Sequence, residues 1–102
     1  MIIATEFYMP KSEARLDEIV EAISRNDDVA EKLLLYINSN EQESVSFAKK
    51  YLNFKNVYQI HNPKRQTFGS IFRSTQGEGI VAVCNNDISF TQEAVDIINN
   101  DD

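Results

Sequence analysis

The stretch from Gly79 to Phe90, GIVAVCNNDISF, decides the fold. Ile80, Val81, Ala82, Val83 and Cys84 form one unbroken, mostly β-branched apolar run. It is too short for a helix and is patterned as a strand buried on both faces of a parallel sheet. The run halts on Asn85, Asn86 and Asp87, and apolar character resumes at Ile88 and Phe90. Polar residues at the carboxyl end of such a strand stand where open α/β sheets hold their ligands.

Working outward, Gln76-Gly77-Glu78-Gly79 is a turn leading into this strand, which is expected to be central in its sheet. Before the turn, Phe68, Ile71 and Phe72 follow Thr67 at helical spacing and predict a short helix from Thr67 to about Ser74, with Thr67 as its cap. After Phe90, Thr91 is placed to cap a last helix with Ala94, Val95 and Ile98 on its apolar face, ahead of a polar end at 99–102. Toward the N-terminus, Asn56 to Ile60 alternates as a strand and stops at His61-Asn62-Pro63. Glu41 to Leu52 returns to helical spacing through Val45, Ala48, Tyr51 and Leu52, with Ser44 or Asn40 as cap. Lys32 to Ile37 is a second buried strand. Leu16, Ile19, Val20 and Ile23 define a helix from the Ser12 cap to about Arg25, ended by a polar turn at Asn26-Asp27-Asp28. Ile2 to Phe7 is the first strand.

Strand and helix thus alternate four times, the pattern of a parallel sheet with helices on its faces. The expected class is α/β, a doubly wound, Rossmann-like, mainly parallel four-stranded sheet in a single domain spanning residues 1–102. Strand orders 3-2-1-4 and 2-1-3-4 both suit four strands. The first puts the reversal of order between strands one and four, bringing Glu6–Tyr8 beside Asn85–Asp87.

Composition narrows the function classes. The 102 residues carry a formal net charge of −6, and the only basic pairs are Lys49-Lys50 and Lys64-Arg65, which argues against a nucleic-acid or anionic-membrane surface. The opening MIIATEFYMP has no basic segment before its apolar residues, and no run approaches membrane-spanning length, so a cytoplasmic chain without membrane insertion is expected. The single cysteine, Cys84, lies in the most apolar run and reads as a buried thiol in a reducing compartment. A glycine-rich phosphate loop, a dinucleotide fingerprint, a zinc ligand cluster and a nucleophile elbow are all missing from the sequence.

Candidate chemistry gathers at the strand ends. Asp87 is a hard oxygen ligand, and magnesium or manganese takes one or two carboxylates and completes its shell with water and substrate phosphates. The same residues can equally be a turn that closes a strand. Arg65 precedes the helix at Thr67, where a guanidinium beside a helix start can hold a phosphate, although a solvated surface arginine has the same sequence. Phe7 and Tyr8 offer aromatic surface for a nucleobase, with Glu6 or Asn38 making hydrogen bonds, while core packing explains Phe7 as well. His61 can bind substrate, act as a base or merely close its strand. The carboxylate pairs Asp27-Asp28 and Asp101-Asp102 read as solvated charge.

Taken together, ATEFYMP, KRQTFGSIF and CNNDISF, in that order and spacing, resemble glycosyltransferase-like proteins of the GT-A type. The resemblance likens Thr5 to Tyr8 to the segment ending the family's first strand, Arg15 to an arginine on the following helix, and Arg65, Thr67 and Phe68 to its mid-chain motif. Asn85 to Phe90 stands where the family's metal-binding acidic motif stands, with asparagine where many members have a second acid. It implies a nucleotide-sugar donor bound through Thr5, Glu6, Phe7, Tyr8, Asn38, Arg65, Asn85 and Asn86, and a divalent ion (Mn or Mg) on Asp87 bridging the diphosphate. The match covers nearly the whole chain and the first half of the family's usual length. The expected role is therefore the donor-binding half of a glycosyltransferase, with acceptor pocket and base supplied by a C-terminal half or a second chain. The alternative is a non-catalytic α/β protein-interaction module. A phosphate-receiving regulatory domain is disfavoured, because the first strand ends in Glu6 without an acidic pair.

Overall fold

The computed structural model describes residues 1–77, 79 and 81–100. In chain order the elements are β1 (Ile2–Phe7), α1 (Glu13–Val29), β2 (Lys32–Asn38), α2 (Gln42–Tyr51), β3 (Val57–Asn62), α3 (Phe68–Ser74), β4 (Val81–Val83) and α4 (Gln92–Asn100). Ile80, expected to begin the last strand, Glu78 of the turn before it and the Asp101-Asp102 pair lie outside the described residues.

The four described strands form one all-parallel sheet in the order β3-β2-β1-β4. The register follows from burial: Ile3 pairs with Leu33 and Phe7 with Ile37, so one face collects Ile3, Phe7, Leu33, Leu35 and Ile37, the last four packed under α1 and α2. Slipping either strand by one residue would turn these side chains outward. α4 closes the same face at its β4 end, where Val95 packs with Met1, Ile3 and Cys84. The opposite face, with Ile2, Ala4, Leu34 and Tyr36, is covered by Ile71 of α3. Two crossovers step from β1 to β2 to β3, and the third jumps back past β1 to β4. A constant crossover hand then puts α1 and α2 on one face and α3 on the other, as observed, and the sheet is doubly wound.

Two expectations about elements are corrected. β4 is an edge strand of three residues, each half-buried, and the fully buried middle of the sheet belongs to β1 and β2. Its apolar run is explained by two covered faces, Val81 and Val83 toward α3 and Ala82 toward α4, while its outer edge has no partner strand among the described residues. The chain enters it through Gly77 and Gly79, whose φ angles of 86° and 96° suit glycine alone.

α1 does not stop at Arg25: Asn26, Asp27 and Asp28 are helical, and Asn26 and Asp27 are buried. Acidic residues near a helix C-terminus oppose its dipole, but here tertiary hydrogen bonds override that local signal. The Asn56 backbone N–H donates to Asp27 Oδ1 at 2.7 Å, and the Asn56 side chain donates to the Asp27 carbonyl at 2.9 Å. Asp27 thus ties α1 to the start of β3 and is not the solvated charge its sequence suggested.

Caps follow expectation at three of the four helices. The Ser12 hydroxyl accepts from Arg15 N–H, Thr67 and Ser70 form a reciprocal capping box at α3, and Thr91 accepts from Ala94 N–H. α2 differs: neither Ser44 nor Asn40 caps it. The Ser44 hydroxyl instead accepts from Met9 N–H and donates to Glu41, binding α2 to the end of β1.

Candidate functional site

The reversal of strand order falls between β1 and β4, and there the carboxyl ends of both strands open into a cleft of about 540 Å³. That is within the range of small-molecule sites, roughly 300–1,000 Å³. Three separated segments make it: Thr5, Glu6 and Tyr8 from the end of β1, Arg65 to Phe68 from the loop and first residue of α3, and Cys84 to Asp87 after β4. Arg15, in the first turn of α1, completes the lining.

On the α3 side, side chains alternate along β1 so that Glu6 shares the face of Ile2 and Ala4 and points toward the β3–α3 loop. Its carboxylate accepts from Arg65 Nε at 2.9 Å and from the Gln66 backbone N–H at 2.9 Å. The Arg65 guanidinium lies 4.3 Å from the centre of the Tyr8 ring, so one carboxylate and one aromatic face hold it in place. The hydrogen bond to Glu6 raises the pKa of Arg65 further above its already high value. Phe68, at the mouth of the cleft, is 52 % exposed.

On the α1 side, Arg15 Nη1 bridges two carboxylates, Asp87 at 3.2 Å and Glu18 at 3.1 Å. These bonds, Asp87 first, raise the pKa of Arg15. The loop that presents Asp87 is pinned at both ends. The buried Thr5 hydroxyl donates to the Cys84 carbonyl at 2.8 Å, and Cys84 N–H continues the ladder to Ala4 at 3.1 Å. At the far end, the Asn26 side chain donates to the Ile88 carbonyl and accepts from Phe90 N–H, both at 2.8 Å. The Cys84 thiol is buried, and burial pushes its pKa up to about 11, so it is a protonated wall of the cleft.

Of the residues expected at the site, Thr5, Glu6, Tyr8, Arg65, Asn85, Asn86 and Asp87 converge on the cleft. Phe7 does not: it is fully buried on the opposite face of β1 from Glu6 and Tyr8, stacked on Phe47 at 5.6 Å in the core. Asn38 does not either. It ends β2, one strand further from the reversal, and its side chain accepts from Asn40 N–H to close a turn. Glu6 reaches the cleft, but both carboxylate oxygens are engaged in holding the β3–α3 loop, so it is not a free partner for a base. His61 lies away from the lining and is corrected as a strand closer: β3 runs on to Asn62, and His61 stands inside it, paired with Ile37 of β2, with Nε2 3.0 Å from Gln59 Oε1. Within α3, Ile71 alone of the expected apolar face is buried, whereas Phe68 and Phe72 are exposed.

Residue reading without the resemblance missed Arg15 and Gln66, and read Thr67 and Phe68 as cap and core only. The signal for Arg15 was its place one turn into a helix that leaves the carboxyl end of β1. Asn26 was also missed, and it too had a signal: it falls seven after Ile19 and three after Ile23, on the buried stripe of α1, where a polar residue needs a partner.

A divalent ion has a limited donor set here. Among the described residues no three His, Cys, Asp or Glu side chains gather into a metal-holding group. Asp87 is the cleft carboxylate not engaged by backbone, and its neighbour is Arg15. One carboxylate suits an ion that arrives with substrate phosphates, not one caged by protein alone.

A second groove of about 760 Å³ runs between α1 and α2, walled by Leu16, Val20, Phe47, Tyr51 and Phe54. Asp17, Glu21, Ser24 and Arg25 complete its lining, where Arg25 and Glu21 pair with each other. No protein-family profile matches the chain, and no curated protein or solved structure is significantly similar to it.

Proposed function

We propose that the chain binds a nucleotide-sugar donor at the β1/β4 cleft, as the donor-binding part of a glycosyltransferase. The observation that supports this best is the convergence of the three segments that resemble the GT-A type, Thr5–Tyr8, Arg65–Phe68 and Asn85–Asp87, on one cleft at the reversal of strand order. Two guanidiniums face that cleft from opposite walls, each held by a carboxylate, and a diphosphate between them would exchange those carboxylates for phosphate oxygens. Tyr8 and the exposed Phe68 supply aromatic surface for the base. Thr5 and Asn86 are buried in the lining, and the Thr5 hydroxyl ties β1 to the Cys84 carbonyl there.

In the transfer itself, the bond from the anomeric carbon to the diphosphate oxygen breaks, and its electron pair leaves with the diphosphate. Arg15 and Arg65 stabilise the charge that develops there. Asp87 is the residue that would hold a manganese or magnesium ion, which when bound supplies Lewis-acid neutralisation of the same charge. The acceptor oxygen bonds to the anomeric carbon as its hydroxyl loses a proton, and the resemblance assigns acceptor and base to the part of the family's length that lies outside the match. This reading therefore puts base and acceptor pocket on a further segment or a second chain.

Calorimetric titration of UDP- and GDP-sugars with manganese tests the proposal. The expected result is metal-dependent binding to the wild type that Asp87→Ala weakens. Absence of binding by the wild type, or undiminished binding by Asp87→Ala, overturns it. A second reading, a protein-interaction module, is favoured by Tyr58 and Phe72, which stand 55 % and 56 % exposed. It would be supported by a chain that ignores nucleotides yet loses a partner on Phe72→Ser.

A further inference from the structure

We infer that Asn26 is the positioning residue for Asp87, acting through the loop that follows β4. The inference rests on the reading of the cleft as a ligand site. Asn26 is 1 % exposed, inside a helix, and more than sixty positions away in sequence from the backbone it holds. Its amide forms two hydrogen bonds, one as donor to Ile88 and one as acceptor from Phe90, as a neighbouring strand would. These are the residues just beyond Asp87, where the chain has left β4 and has not yet entered α4. Ile88 is itself 45 % exposed and contributes little anchoring by packing. On the near side Thr5 holds Cys84. The loop from Asn85 to Asp87 is thus suspended between two buried polar side chains, and an Ile88 N–H bond to Asn85 at 3.2 Å tightens the turn between them.

Among the described residues, the Asp87 carboxylate pairs with Arg15, whose side chain is half-exposed and shared with Glu18. Exposed pairs of this kind orient weakly. The geometry therefore gives the placing of the carboxylate to Asn26 and Thr5, and leaves Arg15 free to turn toward an anion. Both Asn26 and Arg15 lie on α1, so the helix that holds the Asp87 loop also roots the Arg15 side chain.

The test is a double-mutant cycle read by calorimetry with UDP and manganese, on wild type, Asn26→Ala, Asp87→Ala and the double variant, each checked for folding by circular dichroism. Asn26→Asp, which keeps the acceptor for Phe90 and loses the donor to Ile88, serves if the alanine variant does not fold. The expected outcome is a loss of affinity of about tenfold or more in Asn26→Ala, the size of losing one well-placed interaction with a charged group. The double variant should bind no more weakly than Asp87→Ala alone, because the effect of Asn26 passes through Asp87. Additive losses, or Asn26 variants that bind as the wild type does, overturn the role.

A ligand-free arm separates this from the proposed function. If the wild type does not bind nucleotide, that reading falls, and 15N relaxation of the Asn85, Asn86 and Asp87 amides then decides the positioning role. Raised mobility of these amides in Asn26→Ala or Asn26→Asp supports it. Unchanged mobility there, with a disturbance confined to Ile88 and Phe90, contradicts it.

Discussion

Single residues at this site do two things at once, and the clearest case is Glu6. Its carboxylate holds Arg65 over Tyr8 and also accepts from the backbone of Gln66, so one side chain fixes both the loop and the guanidinium. Glu6→Gln keeps an acceptor and removes the charge, with an expected cost of about 1 kcal/mol in urea denaturation, the difference between a charged and a neutral acceptor. Glu6→Ala should cost more, because it leaves the half-buried Gln66 N–H unpaired. The dual role of Glu6 was not legible in the sequence, since the partner segment lies about sixty residues away and only the sheet brings them together. Tyr8 and Asp87 were legible, because a strand's carboxyl end is marked by the place where the apolar run stops, whereas Thr5 came only through the resemblance.

Cys84 gives a second residue-scale expectation, with a definite sign in pH. Burial raises its folded pKa from 9.0 to about 11, so the unfolded chain gives up this proton at lower pH than the folded one. The stabilisation is fully present below about pH 9 and is lost as pH rises through about 11, a fall of about 1–3 kcal/mol. Stability curves of wild type and Cys84→Ala, measured by urea denaturation from pH 8 to pH 11, should therefore converge at the alkaline end. A wild-type curve parallel to that of the variant contradicts the assignment.

At the scale of elements, α1 carries the most information that sequence pattern alone could not deliver. Asn26-Asp27-Asp28 has the chemistry of a turn, and local rules end the helix there. Long-range hydrogen bonds to Asn56, Ile88 and Phe90 extend it by four residues beyond Arg25 and join it to both edges of the sheet. The start of α1 behaved as its local chemistry dictates, because a cap is a contact between near neighbours. The same holds for α3, where Thr67 was legible as a cap. α3 is short, with only Ile71 buried, so its capping box is a large part of what keeps it helical. Thr67→Ala should cost about 1 kcal/mol and weaken nucleotide binding through the displaced Arg65 loop. Both are read from denaturant midpoints and titration isotherms on one preparation.

On the scale of the whole molecule, the alternation of strands and helices was enough to give a parallel doubly wound sheet, and the two candidate orders already contained the observed one. What pattern could not give was the rank of the strands. The run 80–84 is the most apolar in the chain, yet its described part is an edge strand, because apolar side chains report covered faces and say nothing about paired edges. The observed order is what turns three distant motifs into one cleft. In the 2-1-3-4 order β3 would separate β1 from β4, and Glu6 and Asp87 would not face one cleft. Function at this scale rests on topology more than on any side chain.

The most direct measurement is a backbone and side-chain NMR titration of the labelled chain with UDP or GDP in the presence of magnesium. The expected result is a set of saturable shifts confined to Thr5–Tyr8, Arg15, Arg65–Phe68 and Asn85–Asp87, the two walls and floor of the β1/β4 cleft. Shifts absent at saturating nucleotide, or clustered instead along the groove of Leu16, Phe47 and Tyr51, would contradict a nucleotide site at the reversal of strand order.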